Sequence, residues 1–364
     1  MARRRDGAPG ALGDTAVAVS APGFREALLA FGPHDGAHRV ALRVMLSTVA
    51  PLLVLLAIGR IELAAFAAFG SFAALYGRNR VHLPRLVMQL TAAAVMVAAV
   101  ALGALVATLP EPAWAMVLGG AAFAGLVSVI SDAEDWHPPG VLFALFAFSG
   151  SASIPSVGLS DVGIAALVAA CAAAFAVLVG TAGTALRVAR GLPQAEALPV
   201  DRDYRLRDRH RVQLRRVGRY AASVVLAGGL AIVLGIGHPY WAMVSAVVPH
   251  AAGAVTAGIA RGIHRILGTA VGVLLAAGVL ALDPGDLLIV ALMGAAVFGA
   301  ELLIGRNYGI AMVFVTPLAL LAVHLASPTP VEVLLVDRLL ESIIGALVGI
   351  AVGLATARWW TRRP

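Results

Sequence analysis

The chain has 364 residues, of which 60% are hydrophobic and only 13% charged, with a formal net charge of +7. Soluble domains carry about 25% charged residues, so composition alone argues against a soluble fold and for one set in a membrane. All 27 basic residues are Arg, which excludes a Walker A lysine and any Schiff-base lysine. Cys171 is the single cysteine, so neither an intrachain disulfide nor a cysteine metal cluster can form.

Residues 1–36 read as a polar cytoplasmic tail. Arg3, Arg4 and Arg5 are followed by Asp14, Ser20 and Pro22 rather than by the apolar block of a signal peptide. Beyond them come runs with the roughly 17–25 apolar residues that a membrane span needs. They predict segments 1 to 6 near 40–58, 61–77, 86–108, 113–131, 139–155 and 162–186. Segments 7 to 12 follow near 217–235, 238–258, 263–282, 286–304, 308–326 and 336–357. The predicted fold class is therefore all-α, a polytopic membrane protein of about 12 transmembrane helices. It divides into a first six-helix repeat (37–190), an Arg-rich cytoplasmic linker (191–214), a second six-helix repeat (215–357) and a short tail (358–364). The acidic loop with Asp132, Glu134, Asp135 and His137 reads as solvated, and no metal site is predicted.

Arginine placement orients the chain. With the N-terminus inside, 25 of the 27 arginines fall on inside segments, and only Arg60 and Arg338 lie near outer ends. Both termini are then cytoplasmic in a bacterial plasma (inner) membrane. A duplication accounts for the two sets of six: Arg39 and Arg43 recur as Arg215 and Arg219, and Asp161 as Asp337, all with an offset of 176. Six spans are an even number, so the repeats enter in the same direction and relate by an axis along the membrane normal.

Transport sites favour mid-membrane breaks at matching places in two repeats. Segment 2 carries Gly70-Ser71 and segment 8 carries Pro249-His250; segment 5 carries Ser149-Gly150-Ser151 and segment 11 carries Thr316-Pro317. These predict a polar cavity between segments 2, 5, 8 and 11. Ordinary kinks and small-residue packing are the other reading, and it is preferred for the ladder Gly345, Gly349, Gly353 and for Gly268 and Gly272.

The run from His238 to Gly272 opens one segment with Tyr240-Trp241 and the next with Arg265-Ile266-Leu267-Gly268-Thr269. With Arg338-Leu339-Leu340-Glu341-Ser342-Ile343-Ile344-Gly345 it resembles the hallmarks of the fusaric acid resistance (FUSC) and aromatic acid exporter family. It is more distantly similar to plant aluminium-activated malate transporters. The resemblance covers about 215–357 and is faint over 37–190, where Ala64-Ala65 replaces the Tyr-Trp pair. In segment 12 the family's Asp-Thr appears as Glu-Ser. The resemblance implies a transporter or channel for organic anions, exporting aromatic or other carboxylic acids.

The residues themselves are compatible with that. A carboxylate needs a fixed positive charge, and Arg offers a planar fork that stays ionised. Arg261 and Arg265, one turn apart, are the substrate-binding candidates on segment 9. Arg338 is another, with Glu341 or Asp337 as its expected structural partner. Tyr240 and Trp241 fit either an interfacial aromatic belt or substrate stacking. His250, Glu301 and Glu341 are candidates for proton coupling. The chain has no HExxH or GxSxG motif, so it is read as a transporter without cofactor rather than an enzyme. The expected partners are a small organic anion and membrane lipid, not nucleic acid, with a homo-oligomer or an accessory subunit left open. A passive anion channel and a membrane scaffold are the alternatives to gradient-driven export.

Overall fold

A computed structural model describes residues 24–34, 36–77, 82–154, 158–191, 206–252, 254–326 and 329–360. Arg3, Arg4, Arg5, Arg78, Arg80, Arg202, Arg205, Arg362 and Arg363, on which part of the orientation argument rests, lie outside them. The described residues are all helical or connecting, with thirteen α-helices in chain order. They are α1 (Phe24–Leu29), α2 (Ala37–Ala57), α3 (Ala64–Ser71), α4 (His82–Ala107), α5 (Pro112–Ala133), α6 (Leu142–Ala152) and α7 (Leu159–Ala189). After the linker come α8 (Leu206–Val233), α9 (Tyr240–Val247), α10 (Val255–Leu280), α11 (Asp286–Leu303), α12 (Tyr308–Ala326) and α13 (Val331–Trp360).

Nine helices among the described residues are long and apolar enough to cross a membrane, rather than the twelve expected. The other three expected segments are present but short. Segment 2 is α3 flanked by 3-10 turns at Ile61–Leu63 and Phe72–Leu75, segment 5 is α6 with 11 residues, and segment 8 is α9 followed by a 3-10 turn at Val248–Ala251. At 1.5 Å per residue, α6 reaches only about 16 Å of a hydrocarbon core about 30 Å thick. Segment 2 is helical over Ile61–Leu75, whereas α6 and α9 are flanked by irregular backbone, which is tolerated at membrane depth only when protein satisfies its polar groups. Segment 11 differs the other way: α12 runs unbroken through Pro317.

Contacts fix which ends lie together. On one side Gly32 N–H bonds the Arg306 carbonyl (2.8 Å), Gly77 N–H bonds the His137 carbonyl (3.0 Å), and Arg216 pairs with Asp132. This is called the terminal side, since α2 starts there. The short helix α1 docks there too, with His264 Nε2 2.8 Å from the Leu28 carbonyl, so residues 24–34 are part of the bundle rather than a loose tail. On the opposite side His238 bonds Asp337, and the Ser153 hydroxyl points at Met116 Sδ (3.2 Å).

Helix pairing is regular. α2 packs on α11 as α5 packs on α8; α4 on α6 and α7 as α10 on α12 and α13; α3 on α7 as α9 on α13. Each pairing recurs when the helix number rises by six and the series closes on itself. The halves interlock because the first long helix of each leans on the other half.

The α9–α13 contact is among the tightest. A Cβ at Gly345 would lie 2.2 Å from the Ala242 carbonyl oxygen, and one at Gly349 2.3 Å from that of Ala246. Both obstacles are backbone and cannot rotate away. Gly349→Val is expected to lose at least about 1–3 kcal/mol to overpacking, read as a lower melting temperature in detergent. Gly163→Val, whose Cβ would meet nothing within 4 Å, should melt within a degree or two of wild type.

Candidate functional site

The short segments leave space between the long ones. A cavity of about 400 Å³ lies between α2, α3, α6, α9, α10, α11, α12 and α13. That size falls in the range of small-molecule sites, about 300–1,000 Å³. Its walls include one connected set of rings. Phe69 meets Phe146 edge-on (centroids 5.3 Å apart), Phe72 meets Phe143 in the same way (5.3 Å), and Phe146 stacks near Tyr240 (6.1 Å, 18°).

Two arginines reach the same space. Arg265 lies ten residues into α10, about 15 Å along it, and is 3% exposed. Its Nε donates to Ser245 Oγ (3.2 Å) and its Nη1 to the Tyr308 hydroxyl (3.4 Å), with Met312 Sδ at 3.5 Å. None of these carries a negative charge. Arg338, 1% exposed, sits with its guanidinium carbon 5.1 Å from the centre of the Trp241 ring. Its Nε is buried without a hydrogen-bond partner.

The ion pair expected between Arg338 and Asp337 or Glu341 is not formed among the described residues, because both acids serve His238. Glu341 Oε1 accepts the His238 backbone N–H (3.0 Å), and Asp337 Oδ2 lies 2.7 Å from His238 Nδ1. The α8–α9 connection enters the bundle here with an amide that no helix can satisfy, and the Glu341 carboxylate fills that place. The His238 ring then stacks on Trp241 (4.9 Å, 22°). Arg338 is thus held by an aromatic face, with Glu341 nearby but no direct ion pair to it. Tyr240 and Trp241, at 3% and 0% exposure, belong to the protein interior and not to an interfacial belt.

Of the other residues singled out in the sequence, Glu301 is buried and lines the cavity, as does Gly150. Arg261 lies outside it, with its guanidinium 5.6 Å from the Tyr308 ring centre. Gly70 packs against the Ala169 carbonyl, Ser71 Oγ bonds Thr48 Oγ1 (3.1 Å), and Ser149 Oγ bonds the Leu145 carbonyl (2.6 Å). Thr316 faces Thr269, and Pro317 sits against Gly272. Gly70-Ser71, Ser149 and Thr316-Pro317 make helix-packing contacts, as small residues let helices approach. Pro249 and His250 line a separate, smaller pocket, with His250 Nε2 2.7 Å from Ser223 Oγ.

Sequence reasoning missed Phe69, Phe72, Phe143, Phe146, His238 and Tyr308. The phenylalanines repeat at i and i+3 on segments 2 and 5, a same-face spacing that could have marked them. The His238–Asp337 pair, 99 residues apart, carries no local signal.

The His238–Glu341 contact can be measured. Glu341→Ala leaves the His238 N–H buried without an acceptor, at a cost of about 1–3 kcal/mol. Glu341→Gln keeps an acceptor oxygen in place. Thermal melts should therefore rank wild type, then Glu341→Gln, then Glu341→Ala.

Comparison with known proteins agrees with the sequence resemblance. Residues 226–352 match the family model described as fusaric acid resistance protein-like. A stretch of 150 residues is 29% identical to the uncharacterized membrane protein YvaC of Bacillus subtilis (strain 168). The match covers 41% of this chain but only 23% of that relative, so the chain spans about a quarter of the relative's length. No solved structure matches. The chain is a multi-pass membrane protein, and over residues 226–352 it is FUSC-like.

Proposed function

We propose that this protein is a membrane transporter that exports organic anions, aromatic carboxylates foremost, and that Arg338 and Arg265 hold the carboxylate. The observation that carries this is Arg338: a buried guanidinium that makes no ion pair among the described residues, on the wall of a mainly apolar cavity that also carries five aromatic rings, Arg265 and Glu301. A charged side chain at membrane depth costs about 2.5–3.5 kcal/mol on insertion scales. An arriving carboxylate supplies the missing countercharge, and Arg binds it through two parallel N–H groups. Phe69, Phe146 and Tyr240 offer faces for an aromatic body, and Tyr308 and Ser245 keep Arg265 aimed. The match to the fusaric acid resistance protein-like model favours transport over other membrane roles.

Two further readings belong with this one. The recurrence of helix pairings after six helices favours two six-segment repeats entering the membrane in the same direction. The clustering of arginines favours a cytoplasmic terminal side in a bacterial plasma membrane. His250, Glu301 and Glu341 remain the groups to test for proton coupling.

The test is uptake of labelled benzoate into inverted membrane vesicles, with and without an imposed pH gradient. Hydrogen bonds to charged groups contribute about 1.5–3 kcal/mol, so Arg338→Ala or Arg265→Ala should weaken apparent affinity roughly ten- to a hundredfold. Gradient-driven accumulation lost in both variants is the expected result. Flux that only equilibrates would point to a channel. Flux unchanged in both variants would refute the proposed role of the two arginines.

A further inference from the structure

A second pocket, about 80 Å³, lies on the terminal side between Arg219, Pro249, His250, Val255, Gly258 and Gly353. A single water occupies at least about 10–15 Å³ on this measure. The pocket therefore takes a few waters or one small polyatomic ion, and is too small for an aromatic acid. Arg219 lies six residues into the apolar stretch of α8 that begins at Gln213, at the depth of the membrane–water boundary.

The first half of the chain shows what its counterpart of this pocket looks like when closed. At the offset of 176, Arg219 corresponds to Arg43, Ser223 to Ser47 and His250 to Ala74. Arg43 Nη2 donates to the Ala74 carbonyl (3.1 Å), capping the 3-10 turn that ends segment 2. In the second half that bond is replaced. The His250 side chain fills the space and turns to Ser223, and Arg219 makes no hydrogen bond or ion pair among the described residues.

Other donors converge on the same space. In the tautomer whose Nε2 accepts from the Ser223 hydroxyl (2.7 Å), the proton of His250 is on Nδ1. That nitrogen lies on the Gly353 side of the ring, 3.9 Å from where a Gly353 Cβ would sit, and Gly353 lines the pocket. The 26-residue helix α10 begins here with no side chain capping its first turn, so its leading N–H groups lack intrahelical partners. Arginine, imidazole N–H and open helix amides form a donor set with no carboxylate among the residues lining the pocket.

We propose that this pocket is an oxyanion site for a phosphate group, free or on a lipid, separate from the transport cavity. The anion pairs with Arg219 through its fork and with His250 and the start of α10 through single hydrogen bonds. It braces the turn that ends α9, the helix whose Ser245 orients Arg265 and whose Tyr240 walls the cavity.

Binding to the purified full-length chain in neutral detergent tests this without reference to transport. In one arm, melting temperature is followed against inorganic phosphate, with sodium chloride at equal ionic strength as reference. In the other, native mass spectrometry counts phosphatidylglycerol adducts. A saturable rise with phosphate beyond that of chloride assigns a free anion, and a retained phosphatidylglycerol assigns a lipid headgroup. Either response should be lost in Arg219→Gln and kept in Arg39→Gln, which removes an exposed arginine. Should Arg219→Gln fail to fold, Gly353→Ala decides. Its methyl fits 3.8 Å from His250, narrows the pocket and should weaken the response several-fold. No response to either probe, or a wild-type response in Arg219→Gln (in Gly353→Ala if that variant alone folds), overturns the proposal.

Discussion

A positive charge buried in the bundle without a direct ion pair is the constraint around which the second half of this molecule is arranged. Arg338 lies inside the bundle with its countercharges one turn away and otherwise engaged, Asp337 on the His238 ring and Glu341 on the His238 amide. Removing ions from water costs several kcal/mol apiece unless they are paired and hydrogen-bonded. The Trp241 face recovers part of that cost, and the proposed anion would meet the remainder. Tyr240, the α8–α9 connection and the α9–α13 glycine seam all follow from keeping this arrangement in place.

The short helices make such a site feasible. Full-length spans packed side by side would fill the bundle. At 8 and 11 residues, α9 and α6 leave room beside them, and irregular backbone supplies polar groups at that depth. The halves use the same pairing of helices for different ends. At the offset of 176, Arg265, Arg338 and Glu341 correspond to Gln89, Val162 and Ala165. Gln89 is buried and bonds the Tyr76 carbonyl (3.3 Å), so the first half closes with neutral groups where the second carries charge.

Most of the architecture was legible in hydropathy, since a membrane sorts residues by polarity more strictly than water does. Segments 2, 5 and 8 were read as too long for the same reason. The residues that flank the short helices, such as Ile154, Val248 and Ala252, include enough apolar side chains to extend the hydropathy signal beyond the helix ends. Arg265 and Arg338 were visible as charges near the ends of apolar runs, and their depth inside the bundle was not. Arg261 was equally visible but is carried to Tyr308, because residues four apart on α10 still differ by about 40° around its axis. Neither the aromatic wall nor the His238 hub was legible. The i, i+3 spacing of the phenylalanines marks a shared helix face but not what that face borders, and contacts across 99 residues depend on the packing of helices whose register one sequence does not reveal.

The most direct test of the central claim is equilibrium binding of radiolabelled benzoate to the purified chain, with benzamide as the uncharged isostere and Arg338→Gln as the variant. The account predicts saturable benzoate binding, little competition by benzamide, and loss of binding in the variant. Benzamide competing as well as benzoate, or Arg338→Gln binding benzoate like the wild type, would contradict it.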